Sequence, residues 1–475
     1  MATGEAPCNN KRSYQVVIAA TKDMGLGMNM KLPWDLPREY QFFQDVTTKT
    51  SDPKKRNATI MGRKSWEATP LDIRPLPGRL NVVLTKSSCL SIATNENVLV
   101  CNSMESALEL LATEPYSSSI EKVFFIGGGE LLRHYMNAPN CDAIHLTEID
   151  ISVPCDAFAP RVDTCLYRPW YSSFPVVENG IRYSFNTYVR SKNPIAVSDF
   201  ICCETEDYSF LPKMVFERHE EFGYLNLVQN IISNGDMNDN NTLSKFGCQM
   251  RFNLRKTFPL LTTKKVFWLG VVEETLQLIS GSTNPKEEGT NHIWNSNEAN
   301  EYLDSLRVNA TEEDGDHPLL FGLHWRDTDA RKEFSKLSDF INKIKNNPHN
   351  RGIMLPCQTF AQFYVANGEL SCQIYQSSTE ASLVIPFCIA AYSLLTCIIA
   401  HVCDLVAGDF IHVIGDAHVN TAHIKAIQKQ LQISPKPFPV STITLLIHSL
   451  FNLVSASSFQ ETINLTSSIS LSLPS

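Results

Sequence analysis

Four stretches of this chain combine residue types at spacings that suit chemistry, and one cysteine makes a fifth candidate. Val16–Lys31, VVIAATKDMGLGMNMK, leads from a strand into a glycine-punctuated loop that runs on to Leu32-Pro33-Trp34 and can fold over a flat ligand. Glu39, in LPREYQFF, is an acid set among apolar residues on a helical stretch. Ile60–Trp66, IMGRKSW, is a strand ending in Gly62-Arg63-Lys64-Ser65. A helix starting there aims backbone N–H groups and two cations at a phosphate. Phe125–Glu130, FIGGGE, is again a strand running into a glycine turn and a helix. In the second half Cys357, within LPCQTFAQFYV, follows a proline at the start of an apolar strand and is the nucleophile candidate.

Each signal alone is weak. A lone acid on an apolar helix is ordinarily a capping or salt-bridged residue, a GGG run is ordinarily a turn, and a lone cysteine is ordinarily structural. Stronger is the frame that positions them. From Tyr14 to Arg190 short apolar strands alternate with amphipathic helical pieces, an α/β pattern. The clear strands are 15–20, 58–61, 81–85, 122–126 and 143–148. Residues 191–209 read as a linker between a first domain (11–190) and a second (210–440) whose long helices include 266–280 and 389–405. From 441 to 475 the sequence is serine-rich with one charged side chain, Glu461, and reads as a divergent tail.

Composition bounds the partners. A net charge of −9 argues against a general nucleic-acid or membrane-surface binder, while leaving local basic sites for small anions. The 14 cysteines are scattered, with no CxxC pair and no zinc-like spacing, and no signal or transit segment is visible. A cytoplasmic, reducing location and no bound metal are the expectation. The uncharged stretch 383–400 is about long enough to span a bilayer. Pro386, Tyr392, Ser393 and Thr396 interrupt it, and a buried helix in a large core is expected instead.

Order and context make the four first-half pieces specific. Together with RPLPGRLNVVLT (Arg74–Thr85) and AIHLTEID (Ala143–Asp150), they make Tyr14–Arg190 resemble dihydrofolate reductase end to end. The resemblance implies a twisted, mainly parallel sheet with flanking helices. It implies that Glu39 binds the pteridine, that Thr147 hydrogen-bonds its carboxylate, and that Trp34 and Phe43 wall the ligand. Val17, Ile18, Leu76 and Ile126 would complete the substrate site, with Arg79 pairing bidentately with the α-carboxylate of the glutamate tail. For NADPH it implies Gly127, Gly128, Gly129 and Glu130 in the backbone cradle. Arg63, Lys64, Ser65, Thr85, Lys86 and Ser87 would hold phosphates, with Ala20, Gly27, Lys31, Gly62 and Leu84 alongside. The protein's own share is orientation and electrostatics.

The runs 243–268, LSKFGCQMRFNLRKTFPLLTTKKVFW, and 405–420, LVAGDFIHVIGDAHVN, resemble thymidylate synthase. That resemblance implies an α+β domain in which Cys357 attacks dUMP, 5,10-methylenetetrahydrofolate is the second substrate, and Glu274 organises water. Arg351, Gln376, Ser378 and His418 match nucleotide-site positions. Other positions depart from the pattern. The arginine loop before Thr242 is absent, and Gly352 and Ser377 stand where the family has phosphate arginines. Cys388 replaces a base-reading asparagine and Asn420 a ribose-contacting tyrosine. Gln358 and Gln277 replace a histidine and a tryptophan. At about 1.5–3 kcal/mol per contact, three lost arginines weaken nucleotide binding by roughly three to six decades. The expectation is a working reductase joined to a weak or inactive synthase half that serves as a dimerisation or regulatory module. It would form a homodimer or a heterodimer with an intact paralogue. A fully bifunctional enzyme is the alternative.

Overall fold

A computed structural model describes residues 12–86, 96–191, 207–238, 241–268, 270–272, 275, 339–350, 352–355 and 360–439. Ser87, Glu274, Gln277, Arg351, Cys357, Gln358, most of the expected linker, most of the expected helix 266–280 and the whole tail from 441 lie outside the described residues. The described residues divide into two compact units. The first takes those up to Ser191 together with 207–219, and the second those from Glu220 on. The division falls later than the boundary at 210 expected from the sequence. Its physical reason is burial: Tyr208, Leu211 and Val215 sit in one cluster with Trp170 and Val189 of the first unit.

In chain order the first unit holds β1 (Tyr14–Thr21), β2 (Gly25–Gly27), α1 (Pro37–Thr48), β3 (Arg56–Gly62), α2 (Arg63–Ala68), β4 (Arg79–Leu84) and β5 (Val98–Cys101). Then come α3 (Met104–Leu111), α4 (Tyr116–Ser119), β6 (Ile120–Phe125), α5 (Gly129–Tyr135) and β7 (Cys141–Ile149). β8 (Ala157–Phe158), β9 (Tyr167–Ser172), β10 (Val176–Glu178), β11 (Ile181–Arg190) and α6 (Lys213–Phe216) complete it.

Six strands in the order β7-β1-β6-β3-β4-β5 run parallel. Parallel strands are covered on both faces and need near-continuous apolar runs. β4 meets this with all six residues buried. β11 joins β7 antiparallel and carries β9 and β10 at that edge. The expected strands are all present, with ends displaced by one or two residues: ladder pairing extends the starts, as at Asn57 opposite Arg79, while β4 and β6 each stop one residue early. α1 opens on Pro37, whose missing N–H costs nothing at the first helical position. It turns Glu39, Phe42, Val46 and Thr47 inward. α3 starts with a reciprocal Ser103–Ser106 capping box.

The second unit holds α7 (Glu221–Asn234), β12 (Asp236–Asn238), β13 (Thr242–Asn253), β14 (Met354–Leu355), β15 (Phe360–Ala366) and β16 (Glu369–Glu380). α8 (Val384–Val402), β17 (Val406–Asn420) and α9 (Ile424–Gln430) follow. Its sheet runs β12-β13-β17-β16-β15-β14, with only β16 and β17 parallel, an α+β arrangement. Alternation along the strands sends Phe252, Phe363, Ile374 and Phe410 into a core shared with α7 and α8. The other face leaves Phe360 and Tyr364 more than half exposed, at 51% and 57%.

α8 begins at Val384 rather than Ile389. Pro386 falls in its first turn, where no N–H partner is needed. The helix ends at Val402, ahead of Asp404 with φ 56°, and the Leu405 N–H closes back on the Ala400 carbonyl at 2.8 Å. This helix is long and apolar enough to cross a membrane by length and composition, yet 78% of its apolar window is buried inside the unit. It is the core helix expected from the sequence.

Candidate active site

Glu39, Phe43 and Thr47 recur every fourth residue of α1 and so share one face of it. Glu39 is 9% exposed. Thr147, on the central strand β7, donates its hydroxyl to the Glu39 carboxylate at 3.4 Å. Burial pushes the Glu39 carboxyl up to about 7, and the Thr147 hydrogen bond opposes part of that rise. Val17 and Trp34 are buried in the cluster that includes Phe42 and is flanked by Phe43 and Ile126. The Trp34 indole N–H is buried without a partner among the described residues and is free to meet a polar ligand atom. Ile18, Ala20 and Leu84 send their side chains into the core on the opposite sheet face, so only their backbone faces this site.

At Thr47 this face of α1 meets Arg79, which is 2% exposed. Its Nε donates to the Pro77 carbonyl at 3.1 Å and its Nη1 to Thr47 Oγ1 at 2.5 Å. Thr47 in turn donates to the Phe43 carbonyl at 2.7 Å, which fixes its hydroxyl as an acceptor for Arg79. The guanidinium lies 5.5 Å from the Phe43 ring centroid. Its Nη2 is buried with no partner among the described residues. A buried, unsatisfied N–H on a cation is costly, and an entering carboxylate relieves it. Leu76 packs beside Phe43 and Ile126, held by Asn81, whose side chain bonds both the N–H and the carbonyl of Leu76.

The two glycine crossings meet at the carboxyl ends of adjacent strands, where open parallel sheets bind ligands. The Gly62 N–H donates to the Gly127 carbonyl at 2.9 Å. Gly127 has φ 125°, a conformation that L side chains rarely adopt, and a side chain on Gly129 would strike the Phe158 carbonyl oxygen at 2.9 Å. Backbone is therefore bare here, with Ser65 Oγ beside Gly128. Arg63 and Lys64 are exposed on the first turn of α2, and Arg63 also reaches Glu67 at 3.5 Å. Thr85 and the exposed Lys86 follow β4, while Glu130 is exposed on the first turn of α5. Gly27 lies on β2, paired with β8, and Lys31 closes the next turn against Met28. Bare backbone flanked by cations fits a phosphate-bearing dinucleotide.

In the second unit β16 and β17 bring Ser378 and His418 together. Ser378 Oγ donates to Asp416 at 3.1 Å and lies 3.4 Å from His418 Nδ1. Gln376 is turned inward: its amide donates to Cys388 Sγ at 3.4 Å, and its oxygen lies 2.7 Å from His412 Nε2. The Asn420 side chain accepts from the Ala422 N–H at 2.9 Å.

Sequence reasoning missed two groups. Thr47 is one, although its four-residue spacing after Glu39 and Phe43 was the available signal. The other joins Lys264, Glu380, Ser382 and His423. Burial favours the protonated Glu380, but hydrogen bonds from His423, Ser382 and the Leu383 N–H outweigh it and hold the carboxyl below its ordinary value. Burial lowers the Lys264 ammonium to about 8, with Glu380 opposing.

The family model described as dihydrofolate reductase matches residues 13–190, and the one described as thymidylate synthase matches 222–461, running into the stretch read above as a tail. A bifunctional dihydrofolate reductase-thymidylate synthase of Glycine max is 55% identical, covering 92% of this chain and 90% of the relative. Bifunctional dihydrofolate reductase-thymidylate synthase 1 of Arabidopsis thaliana is 54% identical over 91% and 90%. A bifunctional dihydrofolate reductase-thymidylate synthase of Zea mays is 53% identical over 93% of each. The chain belongs to the bifunctional dihydrofolate reductase–thymidylate synthase family.

Proposed function

We propose that the principal reaction of this chain is the NADPH-dependent reduction of dihydrofolate to tetrahydrofolate, and that its synthase half contributes little or no dTMP. The buried Glu39–Thr147 pair and the bare glycine crossings of the same unit carry the first part. When bound, NADPH supplies the hydride that ends on C6 of dihydrofolate. Glu39 keeps its proton to about pH 7 and holds it at the pteridine end, where water relays it toward N5. Trp34 and Phe43 keep the ring in place, and Arg79 offers its spare Nη2 to the substrate's tail carboxylate. Gly127–Gly129 let the backbone approach the cofactor, while Arg63, Lys64 and Ser65 meet its phosphates.

The second part is supported by residues on β16, α8 and β17. Ser377 offers no cation, the amide of Gln376 is engaged with Cys388 and His412, and Asn420 is occupied in a turn. A second copy of the chain is the partner proposed for the open sheet face, where Phe360, Tyr364, Tyr375 and Phe246 stand exposed. A heterodimer with an intact paralogue would use the same face. The family match through residue 461 favours the other reading, in which both activities survive. Purified chain assayed for NADPH oxidation with dihydrofolate tests the first part, with Glu39→Gln as control. Turnover that is absent, or that survives the substitution undiminished, would overturn it.

A further inference from the structure

Residues 207–219 precede the second unit in the chain, yet they are gripped by the first. Gln15 of β1 donates its side-chain N–H to the Phe210 carbonyl at 2.7 Å, and the Trp170 indole N–H donates to the Val215 carbonyl at 3.3 Å. Trp170 also lies against Tyr208, Phe216 and His219, with ring centroids 4.8, 5.4 and 4.7 Å away. At the end of this segment the Arg218 guanidinium lies over two rings, Phe42 of α1 and Tyr171 of β9, each at 5.6 Å. Phe42 is three residues beyond Glu39 and packs on Phe185 at 4.2 Å between centroids. Phe185 stands opposite Thr147 in the β11–β7 ladder. Of the two rings under Arg218, Phe42 therefore connects α1, through Phe185 of β11, to the strand that carries Thr147.

We infer that Arg218 is a positioning residue of the reductase site, which clamps α1 through Phe42 and so sets Glu39 against Thr147. At 3.4 Å that hydrogen bond is near the limit of useful geometry, so a small retreat of α1 breaks it. β9 supplies the fixed wall of the clamp through Tyr171. The inter-unit connection thus ends in a part that the reductase site needs, and the segment is more than a tether. This inference rests on the reductase assignment of Glu39 made above.

The test uses the full chain, with kcat/KM for dihydrofolate measured across pH in Arg218→Ala, Arg218→Lys, Phe42→Leu and the Arg218→Ala/Phe42→Leu pair. Arg218→Ala is expected to lower kcat/KM about two- to fivefold, the worth of one cation–π contact. The apparent pKa of the profile should rise, because the Thr147 hydrogen bond favours the ionised carboxylate. Arg218→Lys should restore most of both. In the Phe42→Leu background, Arg218→Ala should have no further effect. An unmoved pH profile, or the same loss in both backgrounds, overturns the clamp. If Glu39→Gln stays active, the reading beneath it fails; if Glu39→Gln is dead while Arg218→Ala equals wild type, only the clamp fails.

Discussion

Glu39→Gln should make the reductase unit more stable at pH 8 while abolishing its turnover. The native carboxyl titrates at about 7, against an ordinary 4.5, because burial disfavours its charge. Between those values the folded chain holds a proton that the unfolded chain has released, so stability falls as pH rises through the window. At about 1.4 kcal/mol per unit the full loss is about 3 kcal/mol, complete a little above pH 7. Glutamine fills the same space, cannot ionise, and still receives the Thr147 hydroxyl. The variant should match wild type near pH 4.5 and exceed it by about 3 kcal/mol at pH 8. For a unit of this size that is roughly 6–12 °C in melting temperature. Scanning calorimetry at pH 5 and pH 8 measures it, with the reductase transition identified by its shift on adding NADPH. A difference that does not grow with pH would mean that desolvation does not act on Glu39.

Three further outcomes follow from the geometry. Thr47→Val removes the acceptor of Arg79 Nη1 at nearly constant volume, so KM for dihydrofolate should rise about tenfold with kcat little changed. A dihydropterin lacking the glutamate tail should show no such rise in steady-state kinetics. Gly127→Ala forces a side chain onto φ 125°, costing about 1–3 kcal/mol, and should reduce the thermal shift produced by NADPH while leaving folate binding intact. Phe360→Asp with Tyr364→Asp places two charges on the open face of the second sheet; sedimentation should show dimers giving way to monomers, with reductase kcat within about twofold of wild type.

Much of the reductase half was legible because burial on both faces leaves long apolar runs such as NVVL in β4, and because its glycines fall where strands end. The Glu39–Thr147 contact was legible only through resemblance: nothing in their spacing, 108 residues apart, says that they meet. Thr47 was passed over because a threonine on a helix face looks like any half-buried residue until Arg79 is seen to need it. The contact division falls beyond 210 because Tyr208, Phe210, Leu211 and Val215, equally suited by type to open a new core or to finish an old one, pack with Trp170. The start of α8 was missed because Pro386 reads as a breaker, although in a first turn it breaks nothing. In the synthase half, Gln376 matched the family by type, but its engagement with His412 and Cys388 depends on a fold the sequence does not spell out.

The most direct test of the whole account is a pair of rates on one preparation of the full chain: NADPH oxidation with dihydrofolate, and tritium release from labelled dUMP with methylenetetrahydrofolate. Reductase turnover lost in Glu39→Gln is expected, together with tritium release that is absent or slower by orders of magnitude. Tritium release at a rate comparable with the reductase would contradict it, and would show that both activities survive in this chain.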